Sequence, residues 1–357
     1  MSVTDSELNF NGKKVLLIGG AGFIGHNLAL SLKAKGANVA ILDSLHVNNL
    51  LSLYDDVSAP KERTLYEYMI NERLSLLRNN NIDLFVEDGR DYHRMAKVFS
   101  IFEPEVVVLL AAVSHASRAN KDPRTTLDHS FRTLENALDN SREKVKQFIF
   151  FSSSMVYGNF ESESVTETSS CNPIGIYGAV KLSGEKLVEA YGRVFDIPYT
   201  IVRPSALYGE RCISRRVGQI FIENAIRGKD LVIAGDGKDK IDFTYIEDLI
   251  QGIELCISNH KSLGQIFNLT FGAAEEINSL ATIVQNEFPG ISVNHGERNP
   301  LVPERGTLDI SKAKDLLGYK PSHDIEIGFK KYISWYLDMS KNFNLNSINI
   351  VESQKNE

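Results

Sequence analysis

The chain has 357 residues, of which 46 are acidic and 39 basic, and its formal net charge is −7. This near-balance provides no basic surface of the kind that binds nucleic acid, so we expect no nucleic-acid partner. No stretch reaches the roughly eighteen unbroken apolar residues of a membrane span, and the polar first residues do not resemble a signal peptide. We therefore expect a soluble, cytoplasmic protein with no membrane partner.

Cysteine and histidine residues give no indication of a metal site. Cys171, Cys212 and Cys256 are widely spaced, which fits neither a disulfide framework nor a zinc site. His26 and His115 come nearest to the expected ligand-binding edge of the fold, but they lack the spacing of metal ligands. We predict no metal, and cysteines that are reduced and structural.

Apolar, strand-like runs alternate with helical stretches along much of the chain. Residues 1–12 read as a polar lead-in, and the alternation after them predicts an α/β fold built on a Rossmann-type, doubly wound parallel sheet. We place the strands of this sheet near residues 13–19, 37–43, 82–87, 105–111, 146–152 and 198–203.

The first strand runs into a glycine-rich turn, Gly-Gly-Ala-Gly-Phe-Ile-Gly over residues 19–25. Gly19, Gly22 and Gly25 allow a sharp turn, a close approach to a pyrophosphate and tight packing of helix on strand. The spacing is one residue longer than the G-x-G-x-x-G fingerprint. We predict that these glycines, together with Phe23 and Ile24, bind a nicotinamide dinucleotide.

The second strand ends in Asp43, about twenty residues after the glycine-rich turn. A carboxylate at this position accepts hydrogen bonds from the ribose hydroxyls of NAD and would repel the 2′-phosphate of NADP. Residues 44–46 contain no arginine that could bind such a phosphate. Asp43 therefore predicts NAD as the cofactor.

The third and fourth strands end in residues that suit the rest of the cofactor. The Asp88 carboxylate can accept a hydrogen bond from the adenine amino group, and the Gly89 amide can supply another. Ala111 and Ala112 are small enough for the cofactor to lie across the strand ends, where open α/β sheets bind ligands. We add these four residues to the predicted cofactor site.

A long connection, residues 44–82, separates the second strand from the third. Its central part, Glu62 to Arg78, has apolar residues at helical spacing. The sequence leaves three roles open for this predicted helix: a lid, an oligomer contact, or a surface helix without a function.

A candidate catalytic set follows the fifth strand. This strand ends in Ser152–Ser154, and Tyr177 and Lys181 come at the start of a long helix. Residues four apart share a helix face, so the Lys181 ammonium can lower the pKa of the Tyr177 phenol from about 10. Tyr177 would then be a general base, and Ser153 would stabilise charge on the same substrate oxygen. We predict Ser153, Tyr177 and Lys181 as catalytic residues.

After the sixth strand the regular alternation ends, which indicates a smaller C-terminal α/β lobe that binds substrate. We predict a cofactor-binding domain over residues 13–204, which 243–270 rejoins, and a substrate-binding lobe over 205–242 and 271–341. Residues 342–357 have the composition of a disordered tail.

Over roughly residues 13–338 the sequence resembles an extended short-chain dehydrogenase/reductase, of the NAD-dependent epimerase/dehydratase family that acts on nucleotide sugars. Further matches to this family are Arg203-Pro204, Tyr208-Gly209, Gly235-Asp236-Gly237, Asp-Phe-Thr-Tyr-Ile-Glu-Asp at 242–248, Arg305, Asp-Ile-Ser-Lys-Ala at 309–313 and Leu-Gly-Tyr-Lys-Pro at 317–321.

The resemblance implies roles for particular residues. Tyr177 would take a proton from a sugar hydroxyl, usually at C4, while hydride passes to NAD. Tyr177 and Lys181 would also belong to the cofactor site, where Lys181 would hold the nicotinamide ribose. Arg305 would contact the nucleotide diphosphate. A homodimer is implied as well, built from helices that include residues 122–140 and 173–195.

Some positions depart from the family pattern. Where 4,6-dehydratases carry an Asp-Glu pair, this chain has Ser154 and Met155, so we expect no elimination of water. Ala206 replaces an asparagine near the substrate, and Ile241 replaces an arginine for the diphosphate. We therefore expect a rebuilt nucleotide site, unless the arginines in it only form a solvated helix face; its candidate residues are Ser154, Arg211, Arg215, Arg216, Lys240 and Arg305.

These features favour an NAD-dependent nucleotide-sugar 4-epimerase that works through a transient 4-keto intermediate. A C4 dehydrogenase that releases the 4-keto sugar shares the first half-reaction, so the sequence does not separate the two. A non-catalytic NAD-binding regulator is the third alternative, although it has no need for a set of Ser, Tyr and Lys. The residues identify neither the sugar nor the nucleotide.

Overall fold

The computed structural model describes residues 8–54, 62–112 and 116–342. Its centre is a seven-stranded sheet in which all neighbouring strands are parallel. Across the sheet the order is β12 (Gln265–Asn268), β7 (Tyr199–Arg203), β5 (Gln147–Phe151), β4 (Val106–Leu109), β1 (Lys14–Ile18), β2 (Asn38–Leu42) and β3 (Asp83–Phe85). The predicted Rossmann-type fold and its predicted strands are confirmed.

Both faces of the large sheet are buried, as a parallel sheet requires. Along β1, Val15 and Leu17 belong to one apolar core and Leu16 and Ile18 to the other. The second core is covered by α3 (Tyr92–Phe102), α6 (Thr133–Ser141) and α7 (Ile176–Phe195). Helices that contribute to the first core are α1 (Phe23–Ala34), α2 (Arg63–Asn79), α8 (Val217–Ile226), α9 (Ile246–Ser258), α10 (Ile277–Glu287), α11 (Ser311–Leu317) and α12 (Ile325–Asn342).

The helix predicted over residues 62–78 is confirmed as α2. Leu65, Met69 and Ile70 on this helix are fully buried in the first core. Burial of this apolar face fixes α2 to the body of the protein. Helix α2 is therefore part of the core and not merely a surface helix.

The helical segment around residues 122–140 is not one continuous α-helix. It contains α5 (Pro123–Leu127), which follows α4 (Ala116–Lys121) and precedes a π-helical turn at Asp128–Arg132 and then α6. Asp122 accepts a hydrogen bond from the Thr125 amide, and Pro123 occupies the first turn, which together begin α5.

Pairs of short strands lie outside the large sheet. They are β6 (Ser164–Val165) with β15 (Thr307–Leu308), β8 (Leu207–Tyr208) with β11 (Thr244–Tyr245), β9 (Leu231–Ala234) with β14 (Val293–Gly296), and β10 (Lys240–Ile241) with β13 (Glu275–Glu276). The chain leaves the large sheet after β7 and returns to it with β12. Across the described ranges, no helix combines the length and the apolar character needed to cross a membrane.

Candidate active site

The carboxyl ends of β1, β2 and β4 border a cavity of about 1090 Å³, called here the cofactor cavity. Ligands bind at this edge of open α/β sheets. The wall of the cavity contains all the strand-end and glycine-turn residues predicted to bind NAD: Gly19, Gly22, Phe23, Ile24, Gly25, Asp43, Asp88, Gly89, Ala111 and Ala112.

Two glycines after β1 stand where a side chain would meet the backbone. Gly19 has a φ of 81°, and a Cβ on it would lie 2.6 Å from the backbone nitrogen of Ala111. A Cβ on Gly25 would lie 2.4 Å from the Cα of Gly20. These glycines bring the N-terminus of α1 close to the strand ends with its amides directed at the cavity, a cradle that fits a pyrophosphate.

The Asp43 carboxylate joins the end of β2 to the glycine-rich turn. It accepts hydrogen bonds from the backbone amides of Ala21 at 3.0 Å and Leu45 at 2.8 Å. Burial raises the pKa of Asp43, and the two amides act in the opposite direction. Asp43 therefore shapes the cofactor cavity in addition to lining it.

Asp88 already has a strong partner within the protein. Arg90 Nη2 lies 2.7 Å from Asp88 Oδ2, and Arg90 Nη1 lies 2.8 Å from Asp128 Oδ2. The guanidinium of Arg90 lowers the pKa of Asp88. The carboxylate borders the cavity as an ion-paired group, so its contact with an adenine amino group stays a prediction.

A second cavity of about 1920 Å³ adjoins the cofactor cavity. One of its sides is formed by the carboxyl end of β5 and the first turns of α7. The other side is formed by residues that follow β7. Residues in the walls of both cavities are Ile24, Leu110, Ala112, Leu207 and Arg216. A ligand in the second cavity would therefore lie against a ligand in the first.

The structure brings the three predicted catalytic residues together in the second cavity. Ser153 follows β5, and Tyr177 and Lys181 lie one turn apart at the start of α7. The Lys181 Nζ donates a hydrogen bond to the Phe151 carbonyl oxygen at 2.6 Å and lies 5.9 Å from the centre of the Tyr177 ring. The carbonyl at the end of β5 thus fixes the direction of the ammonium group.

Burial and a neighbouring arginine both act on the pKa of Tyr177. Burial raises the pKa of Tyr177, while the charge of Arg216 and the neighbouring Ser153 hydroxyl act to lower it. Burial also lowers the pKa of Lys181 to about 8, and the charge of Glu185 acts in the opposite direction. Arg216 is the cation that acts on the phenol here, and an effect of Lys181 on the pKa of Tyr177 stays a prediction.

Arg305, which the sequence predicts to contact the diphosphate, lines the second cavity. No carboxylate of the described residues lies within ion-pair distance of its guanidinium. Burial and the neighbouring charge of Arg216 lower the pKa of Arg305 to about 10. Two neighbouring arginines favour an anionic ligand.

Ser154, also predicted to bind substrate, lines the same cavity.

Two other predicted substrate residues lie elsewhere. Arg211 lines neither cavity: its Nη1 pairs with Glu72 at 3.1 Å, and its Nε donates to His26 Nε2 at 3.1 Å. Lys240 is exposed, because the alternation along β10 turns Ile241 toward the cavity instead. The positions of Arg211 and Lys240 thus correct the sequence-based prediction.

Three further arginines line the walls of the two cavities. Arg215, also a sequence candidate, lines the second cavity, as does Arg298, which pairs with Asp239 at 3.0 Å and was missed. Arg73 of α2 lines the cofactor cavity and was missed too. The sequence did contain a signal for Arg73. It lies four residues after Met69 and four before Leu77, which places it on the buried face of α2.

Comparisons with known proteins agree with this geometry. The model of the "NAD dependent epimerase/dehydratase family" matches residues 15–270. The chain is 30% identical over 329 residues to an uncharacterized UDP-glucose epimerase, YtcB, of Bacillus subtilis, which covers 90% of this chain and 97% of that protein. It is 28% identical to UDP-glucuronate 4-epimerase 1 of Arabidopsis thaliana, over 91% of this chain and 77% of the relative.

A solved structure gives the same result. The fold matches that of UDP-glucuronic acid 4-epimerase from Bacillus cereus, solved in complex with UDP-glucuronic acid and NAD, with a TM-score of 0.81. Identity is 26%, and the match covers 91% of this chain and 99% of that one. NAD as the cofactor, an enzyme as the protein class and the predicted resemblance are confirmed. The chain belongs to the NAD-dependent epimerase/dehydratase family.

Proposed function

We propose that the protein is an NAD-dependent nucleotide-sugar 4-epimerase. The observation that carries the proposal is the position of Ser153, Tyr177 and Lys181 in a cavity that adjoins the cofactor cavity. The 4-epimerases among the similar proteins support the reaction type.

The chain's own residues account for the proton steps. Tyr177, held between burial and the charge of Arg216, takes the proton from the C4 hydroxyl and later returns it. Ser153 hydrogen-bonds the same oxygen, and Lys181 holds the ribose of the nicotinamide half while the Phe151 carbonyl orients it. Bound NAD would supply the hydride acceptor, and then the hydride donor, for C4.

Loss of water from the 4-keto sugar is not part of the proposal. Elimination at C5 and C6 needs an acid and a base beside the catalytic serine. The cavity has Ser154 and Met155 there, and neither side chain ionises near neutral pH as a general acid or base must. We therefore expect reverse hydride transfer to the bound 4-keto sugar, and not loss of water from it.

The test is a proton NMR time course with a panel of UDP-, GDP-, dTDP- and CDP-sugars and no added cofactor. We expect one of the sugars to be converted to its C4 epimer without net reduction. A 4-keto product limited to one equivalent per enzyme, with NADH accumulating, would make the protein a C4 dehydrogenase and contradict the proposal. An inactive protein across the panel would favour a non-catalytic NAD-binding regulator.

Arg305 is proposed to bind the diphosphate of the substrate. The exchange Arg305→Gln removes charge-assisted hydrogen bonds worth about 1.5–3 kcal/mol, so we expect KM to rise roughly 10- to 150-fold with kcat nearly unchanged. Steady-state kinetics with the substrate found by NMR measure both constants. Lys240→Gln is the matched control, since Lys240 is exposed outside the cavity. Equal effects of the two exchanges would contradict this role.

We also propose a homodimer formed by the helices around α7. Leu187 and Val194, seven residues apart on one face of α7, expose apolar side chains, as does Leu127 at the end of α5. Light scattering is expected to give twice the mass of one chain, and the double exchange Leu187→Glu, Val194→Glu should give the monomer. Ile101→Glu, an exposed apolar position on α3, is the control. A monomeric wild-type protein would contradict the proposal.

A further inference from the structure

Helix α2 of the long connection holds a loop formed by residues 209–216, called here the arginine loop. Arg73 Nε donates to the backbone carbonyl oxygen of Arg211 at 2.9 Å, and Arg73 Nη2 donates to the same oxygen. Glu72 Oε1 lies 3.1 Å from Arg211 Nη1. Neighbouring residues of α2 therefore bind both the backbone and the side chain of the loop.

The backbone of the arginine loop depends on such contacts. Arg211 and Arg215 have φ values of 63° and 51°, a left-handed conformation that L residues adopt at a cost. Glu62, just before α2, pairs with the Arg215 side chain. The next residue, Arg216, borders both cavities. The position of Arg216 thus follows from the contacts between α2 and the loop.

Arg73 is a fully buried cation in the wall of the cofactor cavity. Its hydrogen bonds go to two carbonyl oxygens, those of Arg211 and of Asn48 at 3.5 Å. No carboxylate of the described residues lies within ion-pair distance of it, and burial lowers its pKa to about 10. The charge of Asp43 acts on this guanidinium from beyond ion-pair distance, but the Asp43 carboxylate also accepts from two backbone amides, so the buried cation still suits an anion in the cavity.

The arginine loop also contacts the turn that begins α1. His26 Nε2 accepts from Arg211 Nε at 3.1 Å, and His26 Nδ1 lies 3.0 Å from the Gly22 carbonyl oxygen. Burial, with the charges of Arg73 and Arg211, lowers the pKa of His26, so the ring is neutral and can accept at Nε2. The loop is thereby joined to the helix N-terminus where a dinucleotide places its pyrophosphate.

We propose that α2 and the arginine loop form a clasp over the pyrophosphate of NAD, in which Arg73 supplies positive charge and fixes the loop that carries Arg216. Arg73 is then a cofactor-positioning residue, and the clasp slows the release of NAD and NADH. The inference rests on NAD as the cofactor of the family and not on the 4-epimerase reaction.

The release rate of NADH tests the clasp without any sugar. Protein loaded with NADH is mixed with excess NAD, and the decay of NADH fluorescence is followed. Loss of one charge-assisted contact predicts a release that is about 10- to 150-fold faster for Arg73→Gln. Arg78→Gln, exposed near the end of the same helix, is the matched control and should stay within about twofold of wild type.

Two further variants keep the test decisive. Arg73→Lys retains the charge with a single donor group and should release NADH at a rate between those of wild type and Arg73→Gln. Glu72→Gln removes only the ion pair with Arg211 and should also release NADH faster than wild type.

The proposal would be overturned by a folded Arg73→Gln protein, verified by circular dichroism, that releases NADH at the wild-type rate. If Arg73→Gln does not fold, wild-type release from Glu72→Gln overturns it instead. Because no sugar is present, these outcomes are independent of whether the protein proves to be a 4-epimerase.

Discussion

The exchange Tyr177→Phe is expected to lower kcat by about 10²- to 10⁴-fold, the range in which a positioned general base contributes to catalysis. The phenyl ring keeps the packing at the start of α7 but cannot take a proton. Binding of NAD should be unchanged, because the glycine-rich turn and Asp43 lie in the cofactor cavity. Steady-state rates by NMR and the NAD content of the purified protein measure the two effects.

Tyr191→Phe is the matched control for this exchange. Tyr191 lies on the same helix α7 and contacts Phe195 at a ring distance of 5.2 Å, outside both cavities. We expect wild-type turnover from it. Turnover by Tyr177→Phe close to that of Tyr191→Phe would remove Tyr177 from the mechanism.

The second large effect is expected on stability, from a buried ion pair beneath the catalytic residues. Arg203 Nε and Nη2 donate to the two carboxylate oxygens of Glu185 at 2.9 and 2.7 Å, and both residues are buried. Arg203→Met leaves the Glu185 charge buried without its partner, which costs about 3–5 kcal/mol. Urea unfolding should show a loss of this size in the free energy of unfolding.

An exposed ion pair on the same helix provides the comparison. Lys186 and Glu189 lie 3.0 Å apart on α7, and Lys186→Met should cost no more than about 1 kcal/mol. The double exchange Arg203→Met, Glu185→Leu should recover part of the stability, since it removes the unpaired charge as well. Equal losses from Arg203→Met and Lys186→Met would show that the buried pair does not stabilise the fold.

The fold and the cofactor cavity could be predicted because their signals are local in the sequence. Each strand of the large sheet is a short apolar run, and a parallel sheet collects the residues at the ends of such runs along one edge. Gly19, Asp43 and Ala111 each follow a strand, so their common location required only the fold class. Tyr177 and Lys181 were found because residues four apart share a helix face.

The side chains predicted to bind substrate could not be placed from the sequence in the same way. Left-handed residues at Arg211 and Arg215 break any periodicity, so the direction of each side chain in that loop depends on contacts with α2. Side chains of Lys240 and Ile241 point to opposite faces of β10, so only one of them can face the cavity. The pairing of β10 with β13 orients the strand so that this residue is Ile241. The ammonium of Lys181 is likewise directed by a carbonyl on another element.

The return of the chain to the large sheet with β12 affects how the protein can be assembled during synthesis. Strand β12 pairs with β7 from Gln265↔Thr200 to Asn268↔Arg203, although more than sixty residues separate the paired positions. Until Asn268 has left the ribosome, β7 is an open edge able to pair with another chain. The large sheet is therefore completed only after the whole segment between β7 and β12 has been synthesised.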